Sequence, residues 1–170
     1  YYTLNEVPAG GEAMAAAEKA SEEAADTAAS VKRQTALPAS WTGGPDTEIV
    51  ISTRPGLKYD TEEITLTAGA RVQLTLRNTD DMLHNLVIVA PGKADAVGEA
   101  ALQLGLQGEA INYVPDMDEV LFHTAIVQPE SAETIYFTAP SEPGTYQFVC
   151  TFPGHHLVMR GEVRVVVGES

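Results

Sequence analysis

The sequence is poor in cysteine and in positive charge, and each shortage excludes some classes of function. Cys150 is the only cysteine among 170 residues, which excludes an intrachain disulfide framework and a zinc site built from four thiolates. Ten lysines and arginines stand against 24 aspartates and glutamates, giving a net charge of −14. A surface with this much negative charge repels phosphate backbones and anionic lipids. We therefore expect no nucleic-acid binding. No apolar run approaches the roughly 18 residues that cross a bilayer, so direct membrane insertion is not expected either.

The composition divides the chain into a predicted helical extension or linker, residues 1–45, and a predicted domain, residues 46–170. Residues 10–37 are rich in alanine and glutamate and contain no proline, which favours a helix. This helix has few large apolar side chains, so we expect it to be a tether or an arm that lies on a neighbour. A specific oligomerisation helix is the alternative.

Short alternations of apolar and polar residues, separated by turn residues, dominate the second part of the chain. Val72, Leu74 and Leu76, for example, alternate with polar residues. Many short strands with such turns indicate an all-β sandwich or barrel. One segment, from Lys93 to about Leu106, is predicted to be a short helix instead. The predicted strands are Glu48–Ser52, Glu63–Thr67, Val72–Asn78, Asn85–Val89, Leu121–Val127, Thr134–Thr138, Thr145–Cys150 and Glu162–Val167.

The strongest chemical signal is the segment from Cys150 to Met159, which reads CTFPGHHLVM. A thiol, an imidazole and a thioether lie within ten residues, and this set of donors suits copper better than calcium or magnesium. A Pro-Gly turn bends the chain so that Cys150 and His155 can converge. His84, at the start of another predicted strand, is the candidate for a second imidazole ligand.

Other interpretations of this segment stay open at this point. The simplest interpretation is that Cys150 and Met159 are ordinary buried core residues, although their spacing with His155 disfavours this interpretation. A cysteine–histidine hydrolase would need an oxyanion loop and an orienting group, and neither is recognisable. Zinc accepts one thiolate and two imidazoles, but the methionine argues against it. Of the other histidines, His123 is interpreted as a structural or surface residue and His156 as a solvent-facing neighbour of the site.

The pattern CTFPGHxxxM at residues 150–159 resembles the ligand loop of the small blue copper proteins, the cupredoxins, and among them the azurin and auracyanin group. The tetrapeptide MLHN at residues 82–85 is similar to the first-ligand motif of that family, with Leu83 in place of the usual glycine. The region 93–118 is similar to the helical flap of azurin-like members. The resemblance covers roughly residues 46–168 and implies a Greek-key cupredoxin sandwich or barrel of about eight strands with a helical flap.

The resemblance also implies a site that holds one type 1, or blue, copper ion. His84, Cys150 and His155 would form its trigonal plane, with Met159 as a distant axial ligand, an arrangement that suits electron transfer. Backbone amides near the first-ligand strand and the ligand loop would donate to the cysteine sulfur, and His155 would expose its second ring nitrogen. The residues expected to support the ligands are Asn85, Thr151 and Phe152, and those expected to dock a partner are Met82, Pro153 and Leu157.

The function that the resemblance implies is electron transfer by copper cycling between Cu(I) and Cu(II), without substrate turnover. Val149 and Thr151 flank the cysteine where multicopper enzymes have a histidine that leads to a second copper centre, so we do not expect an enzyme. The expected partners are redox proteins such as a cytochrome or a membrane electron-transfer complex. The expected location is extracytoplasmic, in the periplasm or on the outer face of the membrane, with residues 1–45 as a candidate tether.

Three other functions remain open from the sequence alone. They are copper storage or delivery, the copper domain of a larger membrane-attached redox protein, and a zinc-stabilised structural or adhesive domain. A methionine- or histidine-rich tract would favour storage, and the sequence has none. Only the blue-copper interpretation predicts an intense visible absorption from charge transfer between the cysteine thiolate and copper.

Overall fold

The computed structural model describes residues 32–168, and their strands form two β-sheets. The four-stranded sheet has the order β2-β1-β4-β7, and the five-stranded sheet has the order β3-β9-β8-β5-β6. The predicted all-β sandwich is therefore confirmed. The strands are β1 Thr47–Arg54, β2 Lys58–Tyr59, β3 Glu63–Thr67, β4 Arg71–Asn78, β5 Val87–Val89, β6 Val120–His123, β7 Ser131–Thr138, β8 Gly144–Val149 and β9 Arg160–Val166.

The core between the sheets is built by the alternation that the sequence shows. Val72, Leu74 and Leu76 of β4 are fully buried, and they share one apolar cluster with Ile51 of β1 and Phe148 of β8. Side chains that alternate along a strand point to opposite faces, so one face of β4 enters the core. Each such side chain stabilises the fold by roughly 1.5–3 kcal/mol on burial.

Two predicted strands are shorter in the structure than in the prediction. The predicted strand from Asn85 begins only at Val87, and the predicted strand ending at Val127 ends at His123. Between them, the backbone N–H of Leu86 donates to the Thr124 hydroxyl at 3.0 Å. The Thr124 side chain thus replaces the backbone carbonyl that would accept this N–H in a regular β-ladder. The alternation of apolar residues in the sequence does not reveal such a replacement.

The predicted helical insertion is α1, Ala94–Gln103, and two short 3-10 turns follow it at Gly105–Gln107 and Glu109–Ile111. Its apolar face packs in a second cluster, where Val97 meets Val87, Val89 and Val149 of the five-stranded sheet. The helix thereby covers the outer face of that sheet. Among the described residues, no helix is both long and apolar enough to cross a bilayer.

Residues 32–45, which the sequence assigned to the extension, contact the four-stranded sheet. Arg33 pairs with Glu133 at 2.6 Å, and the backbone N–H of Tyr136 donates to the carbonyl of Gln34 at 2.8 Å. Strand β7, which carries both partners, lies at the edge of its sheet. Residues 33–37 are irregular, because this segment lies along the strand edge instead of continuing the predicted helix. Residues 10–31 of that helix lie outside the described part of the chain.

Two truncated proteins, one beginning at Lys32 and one at Trp41, should differ in stability. Only the shorter protein loses the Arg33–Glu133 ion pair and leaves the Tyr136 amide without its partner on residue 34. We expect its free energy of unfolding to fall by about 1–2 kcal/mol, or roughly 2–8 °C in melting temperature. Thermal unfolding followed by circular dichroism tests this, and equal midpoints would contradict it.

Candidate metal centre

Three side chains from two distant parts of the chain converge on one buried point. The Cys150 Sγ lies 3.8 Å from His84 Nδ1 and 3.6 Å from His155 Nδ1. The three ligand atoms all lie within 4.8 Å of one another. An ion about 2.0–2.1 Å from a nitrogen and about 2.3 Å from a sulfur, at an angle of about 109–120°, separates the two atoms by about 3.5–3.8 Å. The spacing therefore fits a single metal ion between the three donors.

The ligand loop is closed on itself by backbone hydrogen bonds. The N–H of Cys150 donates to the carbonyl of Met159 at 3.0 Å, and the N–H of Met159 donates to the carbonyl of His155 at 2.8 Å. Gly154 adopts a left-handed conformation with φ of 85° and begins the short 3-10 turn His155–Leu157. Met159 is fully buried and belongs to the same apolar cluster as Cys150. The loop therefore brings the thioether back toward the cysteine.

His84 is positioned by a different element. It forms an isolated antiparallel bridge with Val127, whose N–H donates to the His84 carbonyl at 2.7 Å. Its imidazole is fully buried, and its Nε2 lies 2.8 Å from a carboxylate oxygen of Asp80. This hydrogen bond to His84 lowers the pKa of Asp80. Asp80 and His84 are four residues apart, a spacing that is visible in the sequence but does not by itself indicate this contact.

Burial keeps the Cys150 thiol and the His155 imidazole neutral. Loss of hydration raises the pKa of the Cys150 thiol to about 11, although backbone N–H groups of Asn85 and Phe152 donate to its sulfur and lower the value in part. Loss of hydration, followed by the neighbouring His84, lowers the pKa of His155 to about 4. The site is thus a neutral thiol between imidazoles, and a metal that binds thiolate must displace a proton.

The side chain of Asn85 joins the two ligand-bearing segments. Its Nδ2 donates to the Thr151 hydroxyl at 2.8 Å, and its Oδ1 accepts the Thr151 backbone N–H at 2.8 Å. The same Nδ2 also donates to the carbonyl of Asn112 at 2.9 Å. Asn112 adopts φ of 59° at the end of the flap, and its side chain accepts the N–H of Ile126 at 3.1 Å. The sequence did not indicate this contact from the flap.

The residues expected to form a docking rim differ in exposure. Leu157 is 67% exposed and Met82 is 45% exposed, whereas Pro153 and Phe152 are half-buried. We expected His155 to expose its second ring nitrogen, but the residue is only 4% exposed. The Phe152 ring packs 4.8 Å from the imidazole and covers it, so only an edge of His155 reaches the surface.

The interpretation of His156 as a solvent-facing residue is wrong. The residue is 2% exposed, and its ring packs so closely on α1 that a Cβ at Gly98 would lie 2.1 Å from the imidazole Cγ. Arg160 donates to the His156 carbonyl at 2.9 Å and fixes this turn of the loop. Neighbouring side chains in a 3-10 turn point in different directions, and here the second direction faces the helix instead of solvent. His123 lies at the end of β6, outside the cluster, with its Nδ1 3.0 Å from the carbonyl of Thr124.

The chemistry of the donors identifies the metal that fits. One thiolate, two imidazoles and a buried thioether form a soft set of ligands, and copper accepts all three donor types in a single site. Zinc accepts the thiolate and the imidazoles, but its structural sites do not use methionine. Calcium and magnesium require oxygen ligands, and the converging atoms include none. The residues therefore fit copper best.

Comparisons with known proteins agree with this chemistry. Residues 46–166 match the family described as copper binding proteins, plastocyanin/azurin family. Auracyanin-A of Chloroflexus aurantiacus is 33% identical over 124 residues, which cover 72% of this chain and 75% of that protein. Outer membrane protein H.8 of Neisseria meningitidis serogroup B is 30% identical over 124 residues, which cover 68% of this chain and 66% of that protein.

Solved structures show the same fold. The dithionite-reduced auracyanin of the photosynthetic bacterium Roseiflexus castenholzii superposes with a TM-score of 0.65 at 36% identity, over 72% of this chain and 99% of that one. Auracyanin A, described as a blue copper protein of Chloroflexus aurantiacus, gives a TM-score of 0.64 at 31% identity, over 70% of this chain and 98% of that one. The cupredoxin fold expected from the ligand loop is thereby confirmed.

Replacing Gly98 with alanine tests whether the helix supports the ligand loop. Alanine favours a helix by about 1 kcal/mol over glycine, so the substitution would stabilise the protein if the helix propensity of α1 were its only effect. We expect a loss of about 1–3 kcal/mol instead, because the new Cβ meets the His156 ring at 2.1 Å. Thermal unfolding measures the change, and Leu102→Ala at an exposed position of α1 is the control. A more stable Gly98→Ala protein would show that the contact is dispensable.

Proposed function

Because the chain belongs to the plastocyanin/azurin family of copper-binding proteins, and its cofactor is copper, we propose that it is a type 1 copper electron-transfer protein. The observation that carries the proposal is the convergence of Cys150 with His84 and His155 in a buried pocket. Bound copper supplies a one-electron couple between Cu(I) and Cu(II). A relative solved in a dithionite-reduced form supports this redox role.

The side chains of the site have separate roles in this proposal. His84, Cys150 and His155 would hold the copper ion through two imidazoles and a thiolate, and Met159 would supply a thioether as the fourth ligand. The backbone N–H groups of Asn85 and Phe152 donate to the sulfur and withdraw charge from the thiolate, which tunes the relative stability of the two copper states. The hydrogen bond between Asn85 and Thr151 supports the start of the ligand loop, and the Phe152 ring packs against the imidazole of His155.

The same arrangement supports a carrier instead of an enzyme. Four protein donors complete a small coordination shell, whereas catalytic metal sites keep a position open for substrate. All four residues are at most 4% exposed, so a substrate has no direct path to the metal. Val149 and Thr151 flank Cys150, and neither side chain can ligate a second copper.

We place the electron exit at the rim of the ligand loop. Met82, Pro153 and Leu157 provide apolar surface around the edge of His155, where a redox protein such as a cytochrome or a membrane electron-transfer complex would dock. Interfaces are depleted of charge at their centre, which suits this surface. The net charge of −14 favours a basic partner by long-range attraction.

An extracytoplasmic location is part of the proposal. One relative carries the name outer membrane protein, which supports a site of action outside the cytoplasm. Residues 46–170 would then form the cupredoxin domain and residues 1–45 an extension that connects it to its place of attachment. Because residues 32–45 contact the sheet, only residues 1–31 would serve as the connection.

Addition of Cu(II) to the metal-free protein tests the proposed function. We expect an intense visible absorption and a type 1 electron paramagnetic resonance signal, both reversibly lost on reduction and regained on oxidation. Cys150→Ser is the matched control, since it removes the only thiolate and should bind copper weakly and without colour. A colourless complex of the unsubstituted protein would contradict electron transfer through a blue site and favour storage or delivery.

Leu157→Asp tests the docking surface. A charge at the centre of an interface must lose its hydration, so we expect electron exchange with a basic cytochrome to slow by about tenfold while the absorption spectrum is unchanged. Val167→Asp adds the same charge at another exposed apolar residue. Strand β9 spans roughly 20 Å between Met159 and this position, so the control should affect exchange little. Equal rates in stopped-flow mixing for both variants would place docking on another face.

A further inference from the structure

A carboxylate contacts the buried histidine on the side that faces away from the cysteine. The Asp80 Oδ2 lies 2.8 Å from His84 Nε2, while His84 Nδ1 faces the Cys150 Sγ at 3.8 Å. The histidine side chain is fully buried and the aspartate side chain is 13% exposed. The two nitrogens of one imidazole thus connect an anion to the candidate metal position.

A buried amide fixes the position of this carboxylate. Asn78 is 1% exposed, and its Oδ1 accepts the backbone N–H of Asp80 at 2.9 Å. Its Nδ2 donates to the carbonyls of Met82 and Val127 at 2.7 and 2.9 Å. Residues 80–82 are therefore held against the end of β4, and the carboxylate does not depend on a flexible turn for its placement.

His84 is the direct side-chain partner of Asp80. Among residues 32–168, the only side chain that pairs with it as an ion or hydrogen-bond donor is that of His84, and no lysine or arginine lies within 4.0 Å. An aspartate side chain is ordinarily a carboxylate at neutral pH, and this one lies 2.8 Å from the ring nitrogen of His84. Its charge is consequently not neutralised by a surface cation.

The hydrogen bond also selects one tautomer of the imidazole. An ionised carboxylate only accepts hydrogen bonds, so the proton of neutral His84 must lie on Nε2. The lone pair then lies on Nδ1, the atom that faces Cys150. The ligand is thereby prepared for a metal before any metal binds.

We propose that Asp80 is a positioning residue that fixes the tautomer of His84 and lowers the reduction potential of the copper site. This inference rests on the proposed function. A negative charge hydrogen-bonded to a ligand makes the imidazole a stronger electron donor, which favours the more highly charged Cu(II) over Cu(I). The effect requires contact through the ring, so a nearby surface charge without this hydrogen bond should not reproduce it.

Asp80→Asn, compared with Asp81→Asn, tests the effect on the potential. Asparagine preserves the size of the side chain and an oxygen that accepts from His84 Nε2, so only the charge is lost. Asp81 is exposed and adjacent, and its substitution changes the net charge by the same amount. Redox titration of the copper proteins should show a clearly more positive midpoint potential for Asp80→Asn and little change for Asp81→Asn. Equal shifts in the two variants, or no shift in either, would overturn the proposal.

The metal-free protein tests the tautomer independently of copper. Nitrogen-15 chemical shifts of His84 at neutral pH should report a proton on Nε2 in the unsubstituted protein and in Asp80→Asn, and a mixture of tautomers in Asp80→Leu. A single Nε2–H tautomer in Asp80→Leu would overturn the positioning role. If the unsubstituted protein formed no blue centre, the proposed function would fail, whereas this measurement would still decide whether Asp80 controls the histidine.

Discussion

The paired hydrogen bonds between Asn85 and Thr151 are the constraint on which the candidate site depends. They connect two segments that lie 66 residues apart in the chain, one with His84 and one with Cys150. Asn85 and Thr151 are almost completely buried, so water cannot replace a lost partner. Leaving a buried amide unpaired costs about 1–3 kcal/mol, which is a large part of the stability of a small domain. The fold brings the ligand segments near each other, and this amide sets their separation.

Burial has opposite consequences for the two kinds of ligand, and both favour an uncharged empty site. It raises the pKa of Cys150 to about 11 and lowers the pKa of His155 to about 4, so between these pH values the thiol keeps its proton and the His155 imidazole is neutral, with a proton on only one of its nitrogens. A neutral cavity is stable without an ion in a low-dielectric interior. Metal uptake then couples to proton release from the thiol, and the Asn85 and Phe152 amides that donate to the sulfur reduce the energy of forming thiolate there.

The sequence predicted the parts of this protein that depend on local pattern. The alternation of β4 and the ten-residue ligand loop both depend on residues close in the chain, and the structure shows the β4 alternation as predicted. Contacts between distant segments left no such pattern. The burial of His156 depends on a glycine 58 positions away on α1, and the contact between Asp80 and His84 depends on a buried amide at the end of β4. The two-residue strand β2 is too short to produce a periodicity.

The closed ligand loop explains why this fold suits a redox site whose metal changes charge. Backbone hydrogen bonds join Cys150 to Met159 and Met159 to His155, and neither bond uses an atom that would bind the metal. They fix the loop backbone that places Cys150 Sγ and His155 Nδ1 3.6 Å apart. In the proposed function, a ligand set held in this way would not relax far toward the different geometries that Cu(I) and Cu(II) prefer, so electron transfer would need little rearrangement. The proposal thus assigns complementary roles to the closed loop, which would keep the ligands in place, and to the exposed apolar side chain of Leu157, where a partner would approach.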